Sequence, residues 1–346
     1  MVWGSEGALP HDPRTMKPSR SSTNAGIHGC TATRGRAALR TGVLVLLPVV
    51  VLLTSACEPL DPPPQMLRGL PESALTYLEP HRSRAFQLEA GIVYRSIQSG
   101  SHPWTIHLLE IDPGVCEVGF KVVRADDDAA RQAVSALSRK AGPGVVAAIN
   151  GDFYTDEDVP VGLEASDGHV RGWATRPVFA WRPGDGPRVG IAVREGDSIR
   201  VGDWVLSADR PDREAELVSG FPALLEAGRW VGDLEQADRP GFASMRQPRT
   251  AVGWDPRGDR IWWVVVDGRR SGSSEGMTLP ELAHLFQSLG VTEAFNLDGG
   301  GSSAMAIRGR TVSRPSDFFG ERPVVNALVV RHHPSLCAEP DGNEAP

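Results

Sequence analysis

Polar and apolar positions begin to alternate near Phe86, and from there the chain reads as a folded body. Gly91 to Arg95, Thr105 to Ile111 and Cys116 to Val123 carry strand patterns. Ala129 to Lys140 switches to helical spacing, with Ala130, Ala133, Val134, Leu137 and Ala141 on one face. The acids Asp126, Asp127 and Asp128 before it suit the amide-rich start of a helix. Val145 to Ile149 is short and wholly apolar, as a strand covered on both faces is. Gly162 to Val170 predicts a hairpin around Asp167-Gly168, and Ala251 to Trp254 with Ile261 to Val266 predict a second around Asp255-Pro256-Arg257-Gly258. Thr278-Leu279-Pro280-Glu281 has the form of a capping box. The helix it opens places Leu282, Leu285, Phe286 and Leu289 together and stops at Gly290. Ala294 to Leu297 and Val324 to Val330 are further strands. The elements predict an α+β fold: a strand-rich single domain with a mixed sheet and a few packed helices.

The N-terminal part has a different grammar. Arg34, Arg36 and Arg40 precede the apolar run Val43 to Leu53, followed by Thr54-Ser55-Ala56-Cys57. A basic region, a short apolar core and small residues before a cleavage point make an export signal. The apolar run is too short to span a bilayer, which takes roughly 20 residues. Cysteine directly after small residues resembles a bacterial lipoprotein box, with Cys57 as the lipidation site and a membrane anchor; simple secretion is the alternative. The expected divisions are residues 1–56 as a signal with a long extension, 57–85 as anchor cysteine and Pro-rich tether, 86–333 as the body, and 334–346 as a tail.

Net charge is −7 over the whole chain, and the acidic excess grows once the basic leader is set aside. That balance argues against a nucleic-acid partner. Of four cysteines, Cys30 and Cys57 belong to the leader and its junction. The remaining Cys116 and Cys337 are expected to pair in an oxidising exported compartment.

Two stretches carry candidate chemistry. Asn296-Leu297-Asp298-Gly299-Gly300-Gly301-Ser302-Ser303 places a carboxylate before three glycines and two hydroxyls. Glycine lets backbone approach a ligand closely, and its N–H groups with adjacent hydroxyls can line an anion site. Asn150-Gly151-Asp152-Phe153-Tyr154 repeats the same grammar at another strand exit. Were the two strands neighbours, Asp152 and Asp298 would face one cleft, as the paired carboxylates of glycoside cleavage do; Asp152 also suits a plain turn. Arg249 and Thr250 open a strand, where the arginine could clamp phosphate oxygens. Asp267 and Arg269 close another.

Other chemistries find less. Gly272-Ser273-Ser274-Glu275-Gly276 spells Gly-x-Ser-x-Gly, but no strand enters it directly and no helix follows it directly, as a nucleophile elbow requires. No zincin or P-loop motif occurs. No cofactor is called for. Asp and Asn clusters leave a divalent ion such as Ca²⁺ open, but no loop has EF-hand spacing, so no metal ligands are assigned.

The ordered set Ala148 to Tyr154, Val161-Gly162-Leu163, Ser219-Gly220-Phe221-Pro222, Arg249 to Gly253, Val266 to Arg269, Gly276 to Ala283, Asn296 to Ser303 and Arg322 to Leu328 resembles the phosphodiester glycosidase family. The resemblance covers roughly residues 86–332. It implies cleavage of a sugar-1-phosphodiester on the sugar side, with Asp298 and Asp152 as catalytic candidates. Asn150, Gly151, Arg249, Thr250, Asp267, Arg269, Asn296, Gly299, Gly300, Gly301, Ser302 and Ser303 are then substrate-binding candidates. The family often has glycine where Asp152 stands, which favours Asp298. With the export signal, envelope or extracellular glycans are the expected substrates. The alternative is a non-catalytic glycan-binding envelope lipoprotein.

Overall fold

The computed structural model describes residues 69–125, 130–208, 212–231, 234, 241–255 and 260–337. The leader, Cys57, residues 58–68 of the tether, Asp126 to Asp128 and the tip of the second hairpin lie outside the described residues. Among the described residues no helix is long and apolar enough to cross a membrane.

Three sheets of eight, seven and five strands make up most of the body. Every ladder within them is antiparallel, as in Ala251↔Asn296 and Ala327↔Asn150. This corrects the α+β expectation with its mixed sheet: the fold is mostly β. A mixed sheet would need parallel partners for some strands. Instead, strand Val145–Asn150 lies between Met305–Ile307 and Asn326–His332 in the five-stranded sheet. Strand Glu293–Asn296 lies between Arg249–Asp255 and Ala223–Glu226 in the eight-stranded one. Each is flanked by antiparallel partners, and the two strands belong to different sheets.

Period-two alternation explains the layering. Along strand Arg260–Val266, Trp262, Val264 and Val266 join a core shared with α1 (Glu72–Leu78) and α3 (Leu279–Ser288). Ile261, Trp263 and Val265 point the other way, into a core shared with Ile149, Leu328 and Val330 of the five-stranded sheet. Ala148, Ala327 and Val329 on that sheet's far face pack with Val134 and Leu137 of α2 (Val134–Lys140). Central strands are therefore covered on both sides, which accounts for their unbroken apolar runs.

The capping box forms as its sequence indicates: Thr278 Oγ1 accepts the Glu281 N–H, and Glu281 Oε2 accepts the Thr278 N–H. Helix α2, expected from Ala129, starts later than its apolar spacing indicates, at Val134, and its second residue, Ser135, donates its N–H to Glu321 at 2.9 Å. Packed structure also begins earlier than Phe86. Helix α1 lies inside the stretch read as tether and docks on α3 through Ser73 Oγ to Ser288 O and Tyr77 Oη to Glu281 O. Cys116 and Cys337 are joined as a disulfide.

Glu216, buried in strand Glu216–Ser219, ties the seven-stranded sheet to the five-stranded one by accepting the Val122 N–H at 2.7 Å. Burial pushes its carboxyl from 4.5 up to about 8, against the pull of the Val122 N–H and Lys121. Between those values the folded protein retains a proton that the unfolded chain has released, so stability falls as pH rises through the window. Urea midpoints are expected to decline from pH 5 to pH 9, and Glu216→Gln to flatten that slope; an unchanged slope would show that the carboxyl is ionised throughout.

Candidate functional site

The two strand exits meet although their strands lie in different sheets. Asn150, the last residue of its strand, is fully buried and spends its amide on three elements. Its Nδ2 donates to Asp298 O at 2.7 Å, and its Oδ1 accepts Thr250 Oγ1 at 2.7 Å and Ala304 N at 3.2 Å. Asp298 N donates to Gly151 O, and Leu297 N to Thr250 O. Asn296 Nδ2 donates to Phe221 O and Leu297 O. Asn150, Thr250 and Asn296 thus hold the site rather than face a ligand. Gly151 is required for space, since a Cβ there would lie 2.1 Å from Asn326 Oδ1.

Above this junction opens a cavity of about 380 Å³. Asp298, Gly299, Gly300, Arg249 and Arg269 line its polar side, with Gln247, and Phe153, Phe242 and Met245 its apolar side. Asp298 Oδ1 accepts the Gly299 N–H at 2.8 Å, which fixes the carboxylate. Phe153 and Phe242 sit with ring centroids 6.3 Å apart. Aromatic rings, a carboxylate and guanidinium groups lining one cavity suit a sugar face carrying a charged substituent.

The glycine run works differently from the amide cradle its composition suggests. Gly300 N bonds to Pro248 O before the neighbouring strand, and Ser302 N to Gly299 O and Ser303 N to Gly300 O within the turn, so these donors are spent on the protein's own backbone. Its glycines instead admit arginines. A Cβ on Gly300 would lie 2.8 Å from Arg269 Nη2, and one on Gly301 2.2 Å from Arg322 Nη2. Gly300 also has φ +62, a conformation L side chains disfavour. Arg269, itself at φ 58, donates Nε to Gln247 Oε1 at 2.8 Å. Arg322 makes a two-pronged pair with Asp317 at 2.8 and 3.1 Å. That pairing chiefly raises its proton affinity, and Asp298 adds to it. Ser302 and Ser303 are buried, and neither hydroxyl has a hydrogen-bond partner among the described residues.

Asp152 does not line the cavity. It lies behind Phe153, 2% exposed, with Oδ1 accepting the Phe153 N–H and Oδ2 the Gly162 N–H, both at 2.7 Å. Arg176 approaches it at 3.6 Å. Burial raises its carboxyl to about 8, opposed by Arg176 and the two N–H donors. Asp267 is also internal: its carboxylate takes the Arg314 N–H at 2.8 Å and His107 Nε2 at 3.3 Å. Ser274 of the Gly-x-Ser-x-Gly match is buried and donates to Asp267 O, which leaves no exposed nucleophile there. Sequence reasoning did not single out Arg176, Phe242 or Arg322 as site residues. Arg322 stood inside a quoted motif, but only the glycine opposite it marks its role.

Arg249 reaches the cavity wall yet serves the fold. It is 2% exposed and donates to Met277 O, Phe242 O and Met245 O at 2.8–2.9 Å. Arg249→Ala strands those carbonyls and should cost about 3 kcal/mol or more. Arg269→Ala, on an exposed side chain, should leave stability nearly unchanged. Denaturant unfolding of the two variants checks the contrast, and equal stabilities would overturn it.

Comparison with known proteins places the chain in a family. The phosphodiester glycosidase family model matches residues 143–331. The SPbeta prophage-derived uncharacterized protein YomE of Bacillus subtilis is 39% identical over 191 residues, 53% of this chain and 24% of YomE. The Bos taurus N-acetylglucosamine-1-phosphodiester alpha-N-acetylglucosaminidase is 35% identical over 151 residues, 40% of this chain and 28% of that enzyme. The chain therefore spans about a quarter of the length of the curated relatives it matches. The catalytic domain of the zebrafish N-acetylglucosamine-1-phosphodiester alpha-N-acetylglucosaminidase, solved auto-inhibited by its pro-peptide, shares the fold. It has a TM-score of 0.52 at 22% identity, over 73% of this chain and 88% of that one. With more than half of its length matched, both strand exits included, this chain belongs to the phosphodiester glycosidase family.

Proposed function

We propose that this protein hydrolyses sugar-1-phosphodiesters, breaking the bond between the anomeric carbon and the phosphate oxygen and releasing the free sugar. The observation that carries the reading is Asp298, a fixed carboxylate lining a cavity together with aromatic rings, with arginines against its glycine turn. The sugar ring would rest on Phe153 and Phe242, with its anomeric carbon over Asp298. As the C–O bond breaks, positive charge develops on the sugar and the electron pair leaves with the phosphate monoester. The Asp298 carboxylate opposes the first charge, as nucleophile or as electrostatic stabiliser. Arg269 and Arg322 oppose the second. Water supplies the hydroxyl at the anomeric carbon and a proton to the products. A phosphate monoester leaves readily, so this chemistry asks little of a general acid, in keeping with Asp152 lying behind Phe153 and not in the cavity. Holding the Phe153 and Gly162 backbone is the role assigned to Asp152.

Purified protein is expected to release free sugar from a panel of methyl sugar-1-phosphates that includes N-acetylglucosamine. Asp298→Asn should lower kcat about 10³-fold, and Arg269→Ala should lower kcat/KM about tenfold or more. Mass detection of released sugar reads both. Turnover by Asp298→Asn at the wild-type rate would sink the assignment, and tight sugar binding without release would make this a glycan-binding module.

The proposal includes an exported setting, with envelope or extracellular glycans as substrate and a lipid anchor at Cys57, supported by the leader pattern before that cysteine. Cys57→Ala is expected to move the protein from the membrane to the soluble fraction of an expressing bacterium. Unchanged fractionation would remove the anchor from the proposal.

A further inference from the structure

Both rings of the cavity, Phe153 and Phe242, are backed by a guanidinium. Arg249 lies over the Phe242 ring, with Cζ 5.6 Å from its centroid, and is committed to three carbonyls as a brace. Arg176 lies over the Phe153 ring at the same 5.6 Å, yet it does not line the cavity.

Arg176 opens strand Arg176–Arg182 of the seven-stranded sheet, and its side chain is 19% exposed. Its Cζ also lies over the Phe221 ring, 5.2 Å from the centroid, and its Nη1 lies 3.6 Å from Asp152 Oδ1. The two rings belong to different strand exits. Phe153 follows strand Val145–Asn150, and the carboxylate oxygen that faces Arg176 also accepts the Phe153 N–H. Phe221 is tied to the other exit: its N–H donates to Asn296 O at 2.6 Å, and Asn296 Nδ2 donates to its carbonyl at 2.8 Å. The Gly220 N–H, donated to Pro177 O at 2.9 Å, keeps that segment beside the start of the Arg176 strand. One guanidinium from the seven-stranded sheet therefore joins a ring from each exit.

A planar cation suits this place. Guanidinium stacks on ring faces, whereas an ammonium is a compact point charge. The contact strengthens as water is excluded, and the neighbouring Asp152 carboxyl offsets the charge. Asp152 fixes the Phe153 backbone; the guanidinium across the ring fixes the side chain.

Resting on the reading of the cavity as a sugar-phosphate site, we propose that Arg176 is a positioning residue for the hydrolysis, holding the Phe153 ring where it presents the sugar to Asp298. It touches no reacting atom and acts through Phe153. A platform of that kind binds ground state and transition state alike, so its loss raises KM and leaves kcat in place.

The test is a double-mutant cycle in full-length protein, read as KM and kcat on the methyl sugar-1-phosphate that the wild-type protein turns over fastest. Arg176→Met keeps most of the side chain's length and removes the guanidinium. It should raise KM about tenfold with kcat within about twofold of wild type. Phe153→Ala should raise KM at least as much, and adding Arg176→Met to it should raise KM no further, because the ring through which the arginine acts is gone. Arg176→Lys should resemble Arg176→Met, since it keeps the charge beside Asp152 and loses the flat face. Should Arg176→Met not fold, Phe221→Leu, which removes the second ring, should raise KM about threefold, and an unmoved KM there would overturn the proposal. Multiplying effects of Arg176→Met and Phe153→Ala, the mark of a general structural role, would also overturn it. So would full rescue by Arg176→Lys, which would make the charge facing Asp152 the whole role. Wild-type turnover with KM unmoved in Arg176→Met removes this proposal alone; no turnover of any sugar-1-phosphodiester by wild-type protein removes the hydrolase reading and this proposal with it.

Discussion

The Asn150 side chain is the joint on which the site depends. A fully buried amide has to satisfy its donor and acceptor groups inside the protein. Here the amide reaches the backbone of Asp298, the hydroxyl of Thr250 and the backbone of Ala304, three segments that no single sheet holds together. Because one planar group sets all three distances, the carboxylate of Asp298 is placed by the five-stranded sheet as much as by its own strand. Aspartate or leucine at position 150 would leave carbonyl or amide partners unmet, with the Asp298 N–H to Gly151 O bond still joining the two strand exits.

Charge is layered around that joint. Arg249 lies deepest and is committed to three carbonyls, which makes it a brace. Arg269 and Arg322 lie against the glycine turn, where only hydrogen at the α-carbon leaves room for a guanidinium. Asp317 balances Arg322 on the outer side. The turn is therefore less an anion cradle built from its own amides than a thin partition that brings borrowed cations close to a carboxylate.

Local devices were legible in the sequence, and long-range ones were not. The Thr278 capping box, the Asp167-Gly168 hairpin and the wholly apolar strand Val145 to Ile149 are set by neighbours a few residues apart, and each forms as its pattern indicates. Sheet assignment is set by partners distant in sequence, such as Ala327 for Asn150 and Ala251 for Asn296, so a mixed sheet was expected where these ladders are antiparallel. The same limit governs the site. Glycines 299 to 301 announced close approach, but the groups that approach come from positions 269 and 322. Asp152 and Asp298 share one motif grammar, yet Asp152 is covered by Phe153 and held by two backbone donors, a difference only packing decides. Arg249 at a strand start had the chemistry of a phosphate clamp until its three carbonyl partners were in view.

The link between Cys116 and Cys337 has a topological result. It closes residues 116–337 into a covalent ring, and that ring contains both strand exits and the two arginines, Arg269 and Arg322, that lie against the glycine turn. A single protease cut in any surface turn of the ring would therefore open a loop without parting the molecule. Such a nicked chain would still hold both strand exits on one covalent framework until a thiol released them.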